Sequence, residues 1–81
     1  MTKNINLREM PVGQKGIIRR INANGIVNQR IRDMGLVPGA QVMVVGKAPL
    51  KDPVALRIFD TTIALRNREA DFIRVDIPAA Q

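Results

Sequence analysis

Arg30-Ile31-Arg32-Asp33-Met34-Gly35-Leu36-Val37-Pro38-Gly39 is the stretch that decides the fold, because it joins the end of a helix to the turn that begins a strand. Three apolar side chains recur at the spacing of a single helical face: Val27, Ile31 and Met34. Gly35 follows the last of them, and glycine adopts the left-handed conformation of a helix end without a steric penalty. We therefore expect a Schellman stop with an apolar contact between Ile31 and Leu36.

The same stretch continues into a turn and a strand. Pro38-Gly39 is a turn signal, since proline fixes φ and glycine accepts a positive φ. The run at 42–45, Val-Met-Val-Val, is typical of a buried strand. Gly35, Pro38 and Gly39 are therefore the predicted structural turn residues, which set one short helix against a sheet.

Short strands surround this unit. Apolar runs and alternations predict five strands in all, at 17–21, 42–45, 54–59, 62–66 and 72–75. The third and fourth form a hairpin, with a tight turn expected at Asp60-Thr61. Asn6 and Glu9 have the spacing of a capping box over a first helical turn, and a second helical turn is predicted at 67–71. Strands this short, several with apolar residues on both faces, favour a mainly β fold that closes into a small barrel and packs one short helix.

Length, composition and charge narrow the kinds of protein that this chain can be. With 81 residues and 46% hydrophobic content, we expect a single domain over 1–81, with its core at 7–75 and a tail at 76–81. The chain has no cysteine, no apolar run that would span a membrane and no apolar signal core near its start, so a cytoplasmic location is expected. The net charge of +6 favours an acidic partner, although such a charge also keeps small domains soluble.

The residue types that are missing exclude several kinds of site. Histidine and cysteine are both absent, so the usual zinc and iron ligands and any histidine general base are missing. We therefore expect no enzyme, no cofactor and no metal site. Tyrosine and tryptophan are absent too, and Phe59 and Phe72 fall within strand patterns. That placement argues against a groove for proline-rich peptides and against base stacking.

Four blocks resemble the FeoA family, ferrous-iron transport protein A, in order and spacing. They are 30–39, Ala48-Pro49-Leu50 with Asp52-Pro53, Ile63-Ala64-Leu65-Arg66 with Glu69-Ala70, and Ile73-Arg74-Val75. The likeness covers 7–75 and implies an SH3-like barrel with a helix inserted after the first strand, in agreement with the element order above. Four positions depart from the family pattern. Lys51 stands where the loop commonly has glycine, Asp60 lies near another common glycine, and Ile31 and Met34 replace the more usual leucines, which preserves apolar volume.

The resemblance implies an accessory protein of bacterial ferrous-iron uptake. Its expected partner is FeoB, the membrane iron permease with a cytosolic GTP-binding domain, and this chain would regulate that permease and reach the membrane only through it. Two alternatives remain open. One is a basic SH3-like barrel that binds nucleic acid, although no nucleic-acid-binding motif is present. The other is a protein that binds ferrous ion directly.

The docking surface for the partner is predicted at a stiff loop. This loop has two prolines in six residues, so binding costs it little conformational entropy. The predicted partner-binding residues are Arg30 together with Ala48, Pro49, Leu50, Lys51, Asp52 and Pro53. Leu50 follows no helix or strand period, so it either anchors a partner or folds back to cap the open end of the barrel.

Overall fold

One antiparallel sheet forms the body of the domain. The computed structural model describes residues 1–79. In chain order the elements are β1 (Thr2–Asn6), a 3₁₀ turn (Leu7–Glu9), β2 (Lys15–Ile21), α1 (Gly25–Asp33), β3 (Gln41–Lys47), β4 (Val54–Ile58), β5 (Thr61–Leu65), α2 (Asn67–Ala70) and β6 (Ile73–Pro78). Within residues 1–79 the six strands pair in the order β1-β6-β2-β3-β4-β5. None of the helices in this part of the chain has the length and apolar character needed to cross a membrane.

The buried apolar side chains form one core cluster on the inner face of the curved sheet. It contains Ile5 from β1 and Leu65 from β5, so the two edge strands reach the same interior. Register shifts between Ile18 and Arg20 in β2, and at Gly46 in β3, mark bulges, which bend and twist the strands that contain them. The sheet therefore curves around its core, and the prediction of a mainly β, SH3-like barrel with one inserted helix and short helical turns is confirmed.

Helix α1 ends in a Schellman motif. Gly35 has a φ of +91°, and its N–H donates to the Arg32 carbonyl at 2.9 Å. The Leu36 N–H donates to the Ile31 carbonyl at 3.3 Å, which completes the hydrogen-bond pattern of that motif. Ile31 and Leu36 are both fully buried, so the helix end is anchored directly in the core.

A tight turn connects this helix end to β3. The Ala40 N–H donates to the Val37 carbonyl at 3.0 Å, with Pro38 and Gly39 at the two central positions. Gly39 has a φ of +94°, the positive value that a type II turn requires at its third residue. The Gly39 N–H also donates to the Ile18 carbonyl at 2.7 Å, which ties the turn to β2.

The N-terminal strand β1 is absent from the sequence prediction, so the strand count of five is wrong and the described chain has six. β1 pairs with β6 over its whole length, from Thr2 opposite Pro78 to Asn6 opposite Arg74. The predicted tail at 76–81 is wrong for its first three residues, because β6 continues to Pro78 and Ile77 is buried in the core. Ala80 and Gln81, the end of that tail, lie outside the described residues.

The β4–β5 hairpin turn lies one residue earlier than predicted. Ile58 pairs with Thr61, which leaves Phe59 and Asp60 as the two loop residues. Phe59 therefore lies outside any strand, contrary to expectation, with a φ of +54° and 80% of its surface exposed. Phe72 precedes β6 and is also outside a strand. The placement of both phenylalanines in strands is corrected. The β4–β5 register puts Phe59 in the hairpin turn, and the Phe72 N–H donates to the Glu69 carbonyl at 3.2 Å, in the turn that ends α2.

The 3₁₀ turn is capped as predicted. The Asn6 side chain accepts a hydrogen bond from the Arg8 N–H at 2.9 Å, and the Asn6 N–H donates to the Glu9 side chain at 3.1 Å. These reciprocal bonds form a capping box. The turn leads the chain from β1 into the core, where Leu7 and Met10 are fully buried.

Candidate docking site

The loop between β3 and β4 is held in shape by its own backbone. The Lys51 N–H donates to the Ala48 carbonyl at 2.6 Å, across a turn that has Pro49 at its second position. Proline there fixes φ in advance. The Ala48 N–H donates to the Pro53 carbonyl at 3.1 Å and closes the loop at its base. The loop is therefore preorganised before any partner binds.

Leu50 extends from this loop into solvent, with 89% of its surface exposed. Of the two alternatives for Leu50, capping the open end of the barrel does not fit that exposure. Pro49, Lys51 and Asp52 beside it are exposed as well. The loop thus presents one apolar side chain among polar and charged neighbours.

Lys51 adopts a backbone conformation that is usual for glycine and uncommon for a residue with a side chain. Its φ is +64°, in the left-handed region that costs a residue with a side chain about 1–2 kcal/mol. The peptide bond between Asp52 and Pro53 is cis. Lys51 adopts the required conformation in spite of its side chain, and its N–H makes the 2.6 Å bond that closes the turn.

Asp52 fastens the loop to the short helix α2. Its carboxylate oxygen Oδ1 accepts a hydrogen bond from the Asn67 N–H at 3.0 Å. Asn67 is the first residue of α2, whose leading N–H groups have no partner within the helix. One carboxylate oxygen of Asp52 is therefore engaged within the domain, where it holds the loop against α2. Asp52 also adds a negative charge to the loop.

Arg30 also contacts α2, at its third residue. Its guanidinium NH2 lies 3.5 Å from Oε2 of Glu69, while Oε1 of Glu69 accepts a hydrogen bond from the Arg66 N–H at 3.2 Å. Glu69 is 9% exposed, whereas 61% of the Arg30 side chain is exposed. The ion pair tethers the Arg30 guanidinium to α2, while most of the Arg30 side chain remains exposed.

Helix α2 is the element that joins the predicted residues into one surface. Asp52 contacts its first residue and Arg30 contacts its third, so the loop and Arg30 are linked through Asn67 and Glu69. Sequence reasoning identified the helical turn but missed these two residues as parts of the site. The available signal was Glu69 at the third position of the helical turn, where a glutamate can accept a hydrogen bond from the N–H of the residue before the helix.

The surface around the loop carries several basic side chains. Arg66 and Arg68 flank the start of α2 and are exposed, as is Lys51 in the loop. Within residues 1–79 there is no group of three or more histidine, cysteine, aspartate or glutamate side chains arranged to hold a metal ion. The arrangement offers an apolar contact, flanked by positive charge, on a fixed loop.

The architecture defines the class of protein as a small SH3-like barrel domain. The model of the FeoA domain family matches residues 5–77, nearly the full chain. The chain belongs to the FeoA family.

Solved structures of family members superpose closely on this fold. The FeoA-like protein of Clostridium acetobutylicum is 37% identical, with a TM-score of 0.88 over 100% of this chain and 94% of that one. The FeoA of Stenotrophomonas maltophilia, solved in complex with zinc and described as a prokaryotic SH3 domain protein, is 31% identical, with a TM-score of 0.75 over 94% and 89% of the two chains.

A curated relative carries the domain within a far longer chain. It is the Fe(2+) transport protein A/Fe(2+) transporter FeoB fusion protein of Porphyromonas gingivalis, 38% identical over 73 residues. The match covers 90% of this chain and 9% of the relative. The chain thus spans about a tenth of the length of that relative.

Proposed function

We propose that this chain is a cytosolic accessory protein of bacterial ferrous-iron uptake, which binds the cytosolic face of a FeoB-type permease and regulates it. It catalyses no reaction itself. The observation that carries the proposal is the fusion protein of Porphyromonas gingivalis, in which a relative of this domain and the transporter FeoB share one polypeptide. Fusion raises the effective concentration of two partners for each other, so it is favoured where separate chains must associate.

The docking surface is proposed at the β3–β4 loop, with Leu50 as its anchor and Arg30 and Lys51 at its rim. Leu50 is 89% exposed, so nearly its whole side chain is available for burial by a partner. Full burial of a leucine contributes about 1.5–3 kcal/mol, which corresponds to about 10- to 100-fold in affinity. The preorganised loop loses little entropy on binding, so most of that gain is retained.

The test is affinity capture of the permease from detergent-solubilised membranes with immobilised protein. The loop variant combines Leu50→Ser with Lys51→Glu, which removes the anchor and reverses the adjacent charge. The control combines Val12→Ser with Lys15→Glu, which makes the same two kinds of change in another exposed segment. Both variants have the same net charge, so a difference between them reports position rather than overall charge.

The proposal predicts that the loop variant melts within a few degrees of wild type but captures about tenfold less permease, while the control captures as much as wild type. Iron-dependent growth of cells that carry the loop variant is expected to fail in parallel. Equal capture by the two variants would place the docking face elsewhere. Absence of capture by the wild-type protein would overturn association with the permease itself.

A further inference from the structure

A basic groove lies on the β1–β6–β2 face of the sheet, in which the β3–β4 loop takes no part. It encloses about 490 Å³ and is lined by Asn4, Arg19, Arg20, Asn22 and Arg74. The lining residues are three arginines and two asparagines, with no acidic residue among the five. Its volume lies within the usual range of small-molecule sites.

Strand register brings two of the arginines directly opposite each other. Arg20 of β2 pairs with Arg74 of β6, just beyond the bulge that follows Ile18. Like charges at directly opposed positions of neighbouring strands destabilise a sheet. Without the bulge, Arg20 would pair with a different residue of β6, and its side chain would lie on the opposite face of the sheet. The fold therefore maintains an unfavourable pairing that an alternative register would remove.

Asp76, an acidic residue beside the groove, is already engaged. Asp76 accepts hydrogen bonds from Asn4 Nδ2 at 2.9 Å and from Arg19 Nε at 2.6 Å. These two hydrogen bonds hold the pKa of the Asp76 carboxyl below its usual value, so it is ionised at neutral pH. Of the three arginines only Arg19 bonds to Asp76, so this single negative charge leaves the groove with a net positive charge.

Two of the guanidinium groups are held in place in the free protein. Arg74 donates from Nε to Oδ1 of Asn4 at 2.9 Å and from NH2 to the Asn4 carbonyl at 3.3 Å. Arg19 is held by Asp76 through Nε, which leaves both of its terminal NH2 groups outside that bond. Among residues 1–79, Arg20 makes no side-chain hydrogen bond or ion pair. Donors on three arginines therefore remain for a ligand.

We propose that this groove binds the phosphate group of a small phosphate-bearing anion, with Arg20 and Arg74 as the principal donors and Arg19 and Asn22 at the margin. The guanidinium fork matches a phosphate oxygen pair, and such charge-assisted bonds are about twice as strong as neutral ones. A bound dianion would also offset the repulsion between Arg20 and Arg74. A concave groove of this size fits a ligand with one or two phosphate groups better than it fits a flat partner surface or a long nucleic acid.

The site is independent of the proposed docking loop, and its test uses different variants. Isotope-labelled full-length protein is titrated with pyrophosphate at constant ionic strength, while the Nε–Hε signals of the arginines are followed by NMR. The variant is Arg20→Gln. The matched control is Arg57→Gln, which removes the same charge from an exposed residue of β4 outside the groove.

The proposal predicts saturable shifts confined to the groove in wild type, with binding about tenfold or more weaker in Arg20→Gln and unchanged in Arg57→Gln. Arg20→Gln relieves the like-charge pair, so its Tm without ligand should equal or exceed that of wild type. Binding lost together with folding would instead show a structural role for Arg20 and overturn the assignment. Equal weakening in both variants would mean that pyrophosphate binding depends only on net charge, which would also overturn the proposed site.

Parallel sedimentation with phosphatidylglycerol and phosphatidylcholine vesicles identifies the source of the phosphate. Arg20-dependent binding to the anionic vesicles alone would assign the phosphate to a lipid headgroup, and binding to pyrophosphate without vesicle binding would assign it to a soluble ligand. Binding to a DNA or RNA duplex that falls steeply with salt, and equally in both variants, would indicate a nucleic-acid surface and contradict a discrete site. No binding in any arm would refute the proposal.

Discussion

Gly35→Ala isolates the backbone cost of the helix stop from every packing effect. Gly35 has a φ of +91°, and a Cβ placed there would meet no atom within 4 Å. The substitution therefore adds no clash and removes no contact. Its whole effect comes from forcing an L-residue into a conformation that favours glycine, together with the smaller entropy of the unfolded alanine chain.

The magnitude follows from these two terms. A residue with a side chain at positive φ costs about 1–2 kcal/mol, and replacing glycine returns about 0.4–1 kcal/mol through the unfolded state. We expect Gly35→Ala to lower the free energy of unfolding by about 1 kcal/mol, or about 4–8 °C in Tm for a domain of this size. Gly35→Asn should cost less, because asparagine tolerates the left-handed region, and Gly35→Val should cost more.

Urea unfolding of the three variants tests this order. Gly46→Ala is the matched control, because Gly46 has no positive φ and its added Cβ would lie 4.0 Å from that of Ala55, an ordinary contact. Alanine is favoured over glycine inside a strand by about 0.5–1 kcal/mol, so this variant should be as stable as wild type or more so. The reasoning fails if Gly35→Ala is as stable as wild type, or if Gly35→Asn is no better than Gly35→Ala.

Two further predictions concern the core and the acid stability of the domain. Leu65 is fully buried, so Leu65→Ala should cost about 2–5 kcal/mol in chemical denaturation, whereas Arg66→Ala at the next, exposed position should cost less than about 0.5 kcal/mol. The reverse order would mean that the β5 faces are wrongly assigned. Hydrogen bonds from Asn4 and Arg19 lower the pKa of Asp76 below its usual 3.8, so the stabilisation they give is present above that pH and is lost as the pH falls through the lowered value. The stability difference between wild type and Asp76→Asn should therefore be constant near neutral pH and shrink in acid; a difference that persists at pH 2 would contradict it.

The elements predicted correctly from the sequence are those formed by residues that lie within a few positions of each other. The Schellman stop needs only Gly35 and the apolar pair at Ile31 and Leu36, all within six residues. The capping box at Asn6 is a contact over three residues. In each case the residues that form the structure also carry the pattern, so a reading along the chain was sufficient.

The errors concern structure that is decided by distant strands. β1 has one buried residue, Ile5, so it shows no apolar alternation. It is a strand because β6 supplies its partner from the other end of the chain. Phe59 is bulky and apolar, which favours a strand, yet the pairing of Ile58 with Thr61 puts it in the turn at positive φ. At β1 and at Phe59, strand pairing decided the structure against the preference of the local sequence.

The same distinction separates the two candidate surfaces. The β3–β4 loop was predicted from its two prolines and from Leu50, which follows no helix or strand period, whereas the exposure of Leu50 came from the structure. The basic groove was not, because Arg20 and Arg74 stand 54 positions apart and only the β2–β6 register makes them neighbours. Their opposition is also the kind of local conflict that a fold retains at a cost, and such conflicts concentrate at functional sites. A contiguous motif therefore led to the proposed docking loop, whereas the proposed phosphate groove could be found only once the strand pairing was known.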